Sequence, residues 1–214
     1  MIESQDISGE RRCARIVLTG GPGGGKTTAA DLFRRELGPQ VVVVPEAATL
    51  LFSGGFPRVE DAAAIMSTQK AIFHVQRSLE DIQASVFHDR VLICDRGTAD
   101  GAAYWPGKED DFFAELGTSE AIEMNRYDAV IFFETAAAGG IRIEGGNAAR
   151  IEGLEEAVRI DRRLRALWSR HSRFIFVPHD RSFFKKMTYG LATIESIVRQ
   201  VLDGRRQGYH GVGS

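Results

Sequence analysis

A glycine-rich stretch runs Gly20-Gly21-Pro22-Gly23-Gly24-Gly25-Lys26-Thr27 and matches the pattern G-x-x-x-x-G-K-[ST] at every fixed position. It follows an apolar run and precedes a helical pattern. Glycines allow backbone angles that side chains forbid, so successive N–H groups can converge on phosphate oxygens at a helix N-terminus. In this pattern the lysine reaches the β- and γ-phosphates, and the hydroxyl residue binds Mg²⁺. The stretch therefore predicts a loop that binds ATP and Mg²⁺ through Gly21, Pro22, Gly23, Gly24, Gly25, Lys26, Thr27 and Thr28, with Thr27 as a metal ligand.

The composition is that of one globular domain. A chain of 214 residues that is 43% hydrophobic can bury a sizeable core. The net charge of −2 gives no overall basic field, which argues against a nucleic-acid partner. The two cysteines, Cys13 and Cys94, have no metal-binding spacing, and no apolar run approaches the ~20 residues needed to span a bilayer. We expect a soluble, cytoplasmic protein with reduced thiols.

Five short apolar runs alternate with longer amphipathic stretches. The runs contain few polar residues, as expected when helices cover both faces of a parallel sheet. Helix-like sequence follows each run. The sequence therefore predicts an α/β fold: a single-domain P-loop NTPase with a five-stranded parallel sheet, helices on both faces and a small lid. The predicted strands span residues 15–20, 41–46, 91–96, 129–134 and 173–178.

The predicted ATP-binding domain covers residues 13–203, between a flexible N-terminus (1–12) and a flexible tail (204–214). Residues 136–152 combine small residues, glycines and two arginines, which is typical of a mobile lid. Closure of such a lid would bring an arginine onto the phosphates and exclude water. Arg150 is the better candidate for this catalytic role, and Arg142 is the weaker.

The long amphipathic stretch at 59–88 predicts a helix with one apolar stripe. We expect that stripe to pack in the core, since its members recur at steps of three, four and seven. The polar residues Gln69, Gln76 and Arg77 of this helix could line an acceptor pocket, but we expect their side chains to be exposed to solvent. The stripe consists of Ile65, Ile72, Val75, Leu79, Ile82 and Val86. A later segment, Tyr104-Trp105-Pro106-Gly107, resembles an exposed aromatic loop that stacks on a ring or packs against the sheet edge.

Polar residues close the third predicted strand, and ligands of parallel sheets gather at the carboxyl ends of strands. Asp95 has the position of a carboxylate that holds Mg²⁺ directly or through water, with a helix cap as its alternative role. Arg96 follows at once. An arginine there suits an anionic substrate or a phosphoryl group in transfer, whereas a motor ATPase needs a carboxylate to orient water. We therefore assign catalytic roles to Asp95 and Arg96, and a metal-binding role to Asp95.

Glu46 closes the second predicted strand. The expected strand order would bring it beside the P-loop strand, facing the acceptor side of the nucleotide. A carboxylate that takes the proton of an attacking hydroxyl contributes about 10²- to 10⁴-fold to the rate. We therefore predict that Glu46 is a general base; the alternative is a surface or capping glutamate.

The P-loop, Val44-Pro45-Glu46-Ala47, the segment from Asp95 to Trp105 and Asn147-Ala148-Ala149-Arg150-Ile151-Glu152 occur in order. Together they resemble an AAA-type ATP-binding domain family. That family includes the ribosylnicotinamide kinase part of a bacterial NAD regulator and a eukaryotic nucleotide- and phospholipid-binding trafficking protein. The resemblance covers roughly residues 14 to 202. Asp95-Arg96-Gly97 is also similar to elements of thymidylate and deoxynucleoside kinases, which implies phosphate-side roles for Asp95 and Arg96, a base role for Glu46 and a lid role for Arg150.

Two functional hypotheses follow. The first is a kinase that uses ATP and Mg²⁺ to phosphorylate a hydroxyl of a small, nucleoside-like acceptor, with Lys26 and Arg150 stabilising charge. The second is a regulatory module in which ATP or GTP orders the lid and a partner or lipid reads that state. An oligomeric motor is disfavoured by the short chain and by the Asp-Arg pairing.

Overall fold

The computed structural model describes residues 13–139 and 153–210, with side chains described up to Asp203. The strands are β1 (Arg15–Thr19), β2 (Val41–Val44), β3 (Val91–Asp95), β4 (Ala129–Phe133) and β5 (Phe174–Val177). They form one five-stranded sheet in the order β2-β3-β1-β4-β5, and every neighbouring pair is parallel. The predicted α/β fold is thus confirmed, with each strand ending one or two residues before its predicted end.

Helices cover both faces of this sheet. Among the described residues, no helix has both the length and the apolar character needed to cross a bilayer. The last helix continues through residues predicted to belong to a flexible tail, because a lone glycine such as Gly204 costs a helix only about 1 kcal/mol. The α-helices are α1 (Lys26–Leu37), α2 (Ala47–Ser53), α3 (Ala62–Val86), α4 (Gly101–Tyr104), α5 (Glu109–Glu115), α6 (Glu120–Met124), α7 (Leu154–Trp168) and α8 (Phe183–His210).

Two apolar cores lie on opposite faces of the sheet. Side chains alternate along a strand, so neighbouring residues of β1 enter different cores. Ile16 packs with Phe33 of α1 and with residues of α8. Val17 packs on the other face, in the cluster that contains Leu164 and other residues of α7. Both strand residues are fully buried, which explains why β1 shows no alternation of polar and apolar residues.

The strand order separates Glu46 from the P-loop strand. β3 lies between them, since it pairs with β1 on one side and with β2 on the other. The prediction that Glu46 lies beside the P-loop strand is therefore wrong. Instead, Glu46 lies beside the carboxyl end of β3, which carries Asp95 and Arg96.

The buried face of α3 differs from the predicted apolar stripe. Its buried residues are Gln69, Phe73, Gln76 and Glu80. Ile82 and Val86 are 57% and 60% exposed, so at these positions the prediction of core packing is wrong. Hydrogen bonds offset the burial of Gln76 and Glu80: Gln76 bonds both Glu80 and the backbone of α2, whose first residue is Ala47.

Trp105 is not part of an exposed loop. Its side chain is 1% exposed and meets the ring of Phe112 edge-on, with 5.4 Å between the ring centroids. The aromatic segment thus contributes to the core. Of its two aromatic residues, Tyr104 lines the cavity described below and Trp105 does not.

Candidate active site

The P-loop connects β1 to α1. Gly23 and Gly25 have φ angles of 72° and 88°, in the left-handed region that glycine adopts without strain. Helix α1 begins at Lys26, so its first amides face the loop. The Lys26 ammonium group donates to the carbonyls of Gly20 and Gly21, each at 2.8 Å. These bonds hold the charge of Lys26 inside the loop.

Thr27 and Asp95 meet beside the P-loop. The Thr27 hydroxyl donates to Asp95 Oδ2 at 2.7 Å. Asp95 is 3% exposed, and its Oδ1 has no hydrogen-bond partner among the described residues. Burial, followed by the charge of Glu46, raises the pKa of Asp95. A buried carboxylate oxygen without a partner, next to a hydroxyl, fits the oxygen ligands that Mg²⁺ takes alongside phosphates and water.

No group of three or more His, Cys, Asp or Glu side chains in residues 13–139 and 153–203 could hold a metal ion by itself. This agrees with the way phosphate-dependent sites bind Mg²⁺, through one or two protein oxygens together with the nucleotide. Thr27 and Asp95 offer a hydroxyl and a carboxylate oxygen of this kind.

Arg96 is held between two carboxylates. Its Nε donates to Glu46 Oε1 at 2.6 Å, and its Nη1 donates to Asp100 Oδ2 at 2.8 Å. The third nitrogen, Nη2, is buried and has no partner within the described part of the chain. Arg96 thus presents one unpaired donor group, although its two ion pairs fix its orientation.

Asp100, which the sequence analysis did not identify, connects Arg96 to the rest of the site. It lies four residues after Arg96, but because Arg96 is not helical, the i,i+4 pairing rule for helices gave no signal for their ion pair. Asp100 also accepts from the Thr19 hydroxyl at 2.9 Å and from Trp168 Nε1 at 2.7 Å. One buried carboxylate therefore links the last residue of β1, the segment after β3 and the end of α7.

A cavity of about 260 Å³ opens beside Glu46, Arg96 and Asp100. Helices α2, α3, α4 and α7 supply most of its other lining residues. Its rings are Phe52, Phe73 and Tyr104, and its other apolar groups include Ile65 and Ile72. The cavity wall is thus more apolar than polar, and its charged residues are Glu46, Arg58, Arg96, Asp100, Glu156 and Arg159.

Two of the three helix residues considered for an acceptor pocket line this cavity. Gln69 and Gln76 are 8% and 2% exposed, so the expectation that they are solvated is wrong. The amide of Gln76 is occupied by Ala47 N and Glu80, whereas that of Gln69 makes no hydrogen bond within the described residues. Arg77 instead forms an ion pair with Glu123, away from the cavity.

The predicted lid lies mostly outside the described residues. Residues 136–139 form a short 3₁₀ turn after β4. Arg142 and Arg150 belong to the part that the structure does not describe, so their roles stay predictions.

Comparison with known proteins agrees with this geometry. The sequence model of a family described as an AAA domain matches residues 15–186. The chain belongs to this family. No curated protein matches it. The narrower resemblance to the NAD regulator and the trafficking protein stays a prediction.

Two solved structures of deoxyadenosine kinase from M. mycoides share the fold of this AAA domain. One holds dATP and superposes with a TM-score of 0.62 at 14% identity, covering 85% of this chain and 99% of the kinase. The other, with the products dCMP and a flexible dCDP bound, has a TM-score of 0.58 over the same coverage and at the same identity. The AAA domain is therefore a P-loop protein with a nucleotide-kinase-like fold.

Proposed function

We propose that the protein is a Mg²⁺- and ATP-dependent kinase that phosphorylates a hydroxyl group of a small, nucleoside-like molecule. The observation that carries this proposal is the cavity whose wall contains Glu46 and Arg96, two residues whose charges act on Asp95 of the Thr27–Asp95 pair. A kinase needs two neighbouring compartments, one for the triphosphate and one for the acceptor. The cavity beside Glu46 and Arg96 supplies the second compartment.

Glu46 accepts the proton of the acceptor hydroxyl as that oxygen attacks the γ-phosphorus. The bond from the γ-phosphorus to the β-phosphate oxygen breaks, and ADP leaves. Two hydrogen bonds, from Arg96 Nε and from the Thr49 hydroxyl, orient the carboxylate of Glu46.

Cationic groups stabilise the phosphates during transfer. Lys26 lies inside the P-loop, and the buried donor Nη2 of Arg96 has no partner among the described residues. Such preorganised donors act where negative charge is redistributed in the transition state. Mg²⁺, held by Asp95 and Thr27, would neutralise charge on the β- and γ-phosphates.

The cavity favours a planar acceptor. Phe52, Phe73 and Tyr104 supply ring surfaces, and the unoccupied amide of Gln69 can both donate and accept a hydrogen bond. A heterocycle or carboxamide joined to a hydroxylated sugar has both features. The acceptors of the structurally similar deoxyadenosine kinase belong to the same chemical class.

Acceptor-dependent release of ADP tests this function. Nucleosides, ribosylnicotinamide and phosphorylated metabolites would each be added with ATP and Mg²⁺ to wild type, to Glu46→Gln and to Lys26→Ala. We expect one class of acceptor to stimulate ADP release in wild type. Loss of the base in Glu46→Gln should lower that rate about 10²- to 10⁴-fold. Lys26→Ala should remove it, since the triphosphate loses a main cation.

Glu60→Gln is the matched control, because Glu60 is exposed and does not line the cavity. Its rate should equal that of wild type. Slow hydrolysis that no acceptor stimulates and that Glu46→Gln leaves unchanged would contradict the kinase proposal. That result would favour the nucleotide-gated regulatory module.

A further inference from the structure

The P-loop lies directly against the carboxyl end of β4. A β-carbon added at Gly24 would lie 2.6 Å from the carbonyl oxygen of Phe133, the last residue of β4. Gly24 occupies a variable position of the P-loop pattern, so phosphate binding alone does not demand glycine there. The close approach of the P-loop backbone to the backbone of β4 is what requires glycine at this position.

Asp161 of α7 joins these two segments through their N–H groups. Its Oδ1 accepts from Gly21 N at 2.8 Å and from Thr135 N at 2.9 Å. A β-carbon at Gly21 would lie 2.7 Å from the β-carbon of Asp161, so this contact leaves no room for a side chain. Asp161 is 5% exposed, and burial raises the pKa of its carboxyl group.

Lys186 of α8 joins the same segments through their carbonyl groups. Its Nζ donates to Gly24 O at 2.8 Å and to Glu134 O at 2.6 Å. Lys186 is also 5% exposed. The Thr135 hydroxyl adds a further bond, to the carbonyl of Pro22. Two buried, charged side chains thus fasten the P-loop to residues 134–135: Asp161 binds it at Gly21, and Lys186 binds it at Gly24.

We infer that Asp161 and Lys186 are positioning residues for the donor nucleotide, which hold the P-loop against the end of β4 in the shape that binds phosphate. Neither side chain belongs to the P-loop pattern, and they come from two different helices. Hydrogen bonds to charged groups are stronger than neutral ones, so one side chain can fix two backbone groups at once. The inference rests on the nucleotide-binding part of the proposed function.

Direct binding of MgATP tests the inference. Affinity would be measured by calorimetry for Asp161→Ala, Lys186→Met and the double variant, at a temperature well below the unfolding midpoint of each. Loss of a charged hydrogen-bonding group should weaken binding roughly ten-fold in each single variant. Because both residues fasten the same loop to the same segment, the double variant should lose less than the product of the two factors.

Conservative and distant variants separate positioning from general stability. Asp161→Asn keeps an oxygen that can accept both N–H groups, so it should bind MgATP within about three-fold of wild type. Lys185→Met and Glu155→Ala alter exposed neighbours on the same two helices and should bind as wild type does. In a transfer assay of Asp161→Ala and of Lys186→Met, the KM for ATP should rise by a larger factor than kcat falls. If Lys186→Met does not fold, Lys186→Gln, whose shorter amide cannot reach both carbonyls, replaces it.

Two results would overturn the inference, and only the second would also contradict the proposed function. If Asp161→Ala and Lys186→Met are less stable but bind MgATP as tightly as wild type, these residues only stabilise the fold, and the proposed function stands. If wild type itself binds no MgATP, the proposed function fails together with the inference.

Discussion

Arg96 and Glu46 form a buried ion pair, with 2.6 Å between Arg96 Nε and Glu46 Oε1. Arg96 is also the one non-glycine residue of the described chain with a positive φ, at 76°. Such a conformation costs about 1–3 kcal/mol and persists when the surroundings enforce it. Here the carboxylates of Glu46 and Asp100 enforce it. Arg96 is therefore oriented before a ligand binds, which is what electrostatic stabilisation of a transferring phosphoryl group requires.

Arg96→Lys should lower the rate of transfer by at least about 100-fold, because an ammonium group cannot reproduce the fork that bonds Glu46 and Asp100 together. Arg96→Met should in addition lower the free energy of unfolding by about 3–5 kcal/mol, since it leaves buried carboxylates without their cation. Steady-state kinetics and urea denaturation would measure the two effects. A Lys variant with wild-type kcat would show that only the charge of Arg96 matters.

Asp95→Asn should raise the Mg²⁺ concentration that gives half-maximal activity by about 10- to 100-fold. The side chain keeps its shape but loses the charge that attracts the ion. Titration of activity with Mg²⁺ at saturating ATP would measure this. Thr27→Ser, which keeps the hydroxyl, is the matched control and should need little more Mg²⁺ than wild type does. An unchanged Mg²⁺ dependence in Asp95→Asn would remove Asp95 from the metal site.

Gly97→Ala should destabilise the fold by about 1–3 kcal/mol, because overpacking forces a buried ring to move. The new β-carbon would lie 2.7 Å from the ring of Trp168 and 2.9 Å from Val17. Urea denaturation would measure the change. Gly153→Ala is the control: among the described residues, no atom beyond its chain neighbours lies within 4 Å of the added β-carbon. Gly153 is the N-cap of α7, where glycine is preferred to alanine, so its loss of stability should stay below about 1 kcal/mol. Equal stabilities would mean that Trp168 relocates at no cost.

Lys186 should make folding stability depend on alkaline pH. Burial lowers its pKa from 10.5 to about 8, although the charges of Asp161 and Glu134 oppose that shift. Between pH 8 and 10.5 the unfolded chain therefore binds more protons at this residue than the folded protein, so rising pH favours the folded state. The difference in unfolding midpoint between wild type and Lys186→Met should shift in favour of wild type over this range. A difference that stays constant would contradict the lowered pKa.

The sequence sufficed to predict the sheet, because its strands are continuous apolar runs and each run corresponds to one strand. It also indicated Thr27, Glu46, Asp95 and Arg96, since polar residues at strand ends are recognisable from the chain alone. The structure brings these four together. Strand order was not predictable: nothing in the run that ends at Glu46 records that β3 lies between β1 and β2.

The residues that the sequence analysis missed act through long-range contacts. Asp161 meets Gly21 across 140 positions of the chain, and Lys186 meets Gly24 across 162. On their helices they resemble ordinary charged surface residues. For α3 the error was different. Glu80 accepts hydrogen bonds from Gln76 and from the Tyr127 hydroxyl, so a polar face of the helix can be buried, and hydrophobic periodicity does not take such bonds into account.

The indole of Trp168 gives the site an optical reporter. Its N–H bonds the carboxylate of Asp100, which also holds Arg96 and Thr19. The emission of an indole depends on charges and hydrogen bonds at its ring, so a ligand that moves Arg96 or Asp100 changes the fluorescence of Trp168. The sequence has two tryptophans, and the other, Trp105, packs on Phe112. A Trp105→Phe protein would therefore carry a single emitter, through which occupancy of the site could be followed in real time without a label.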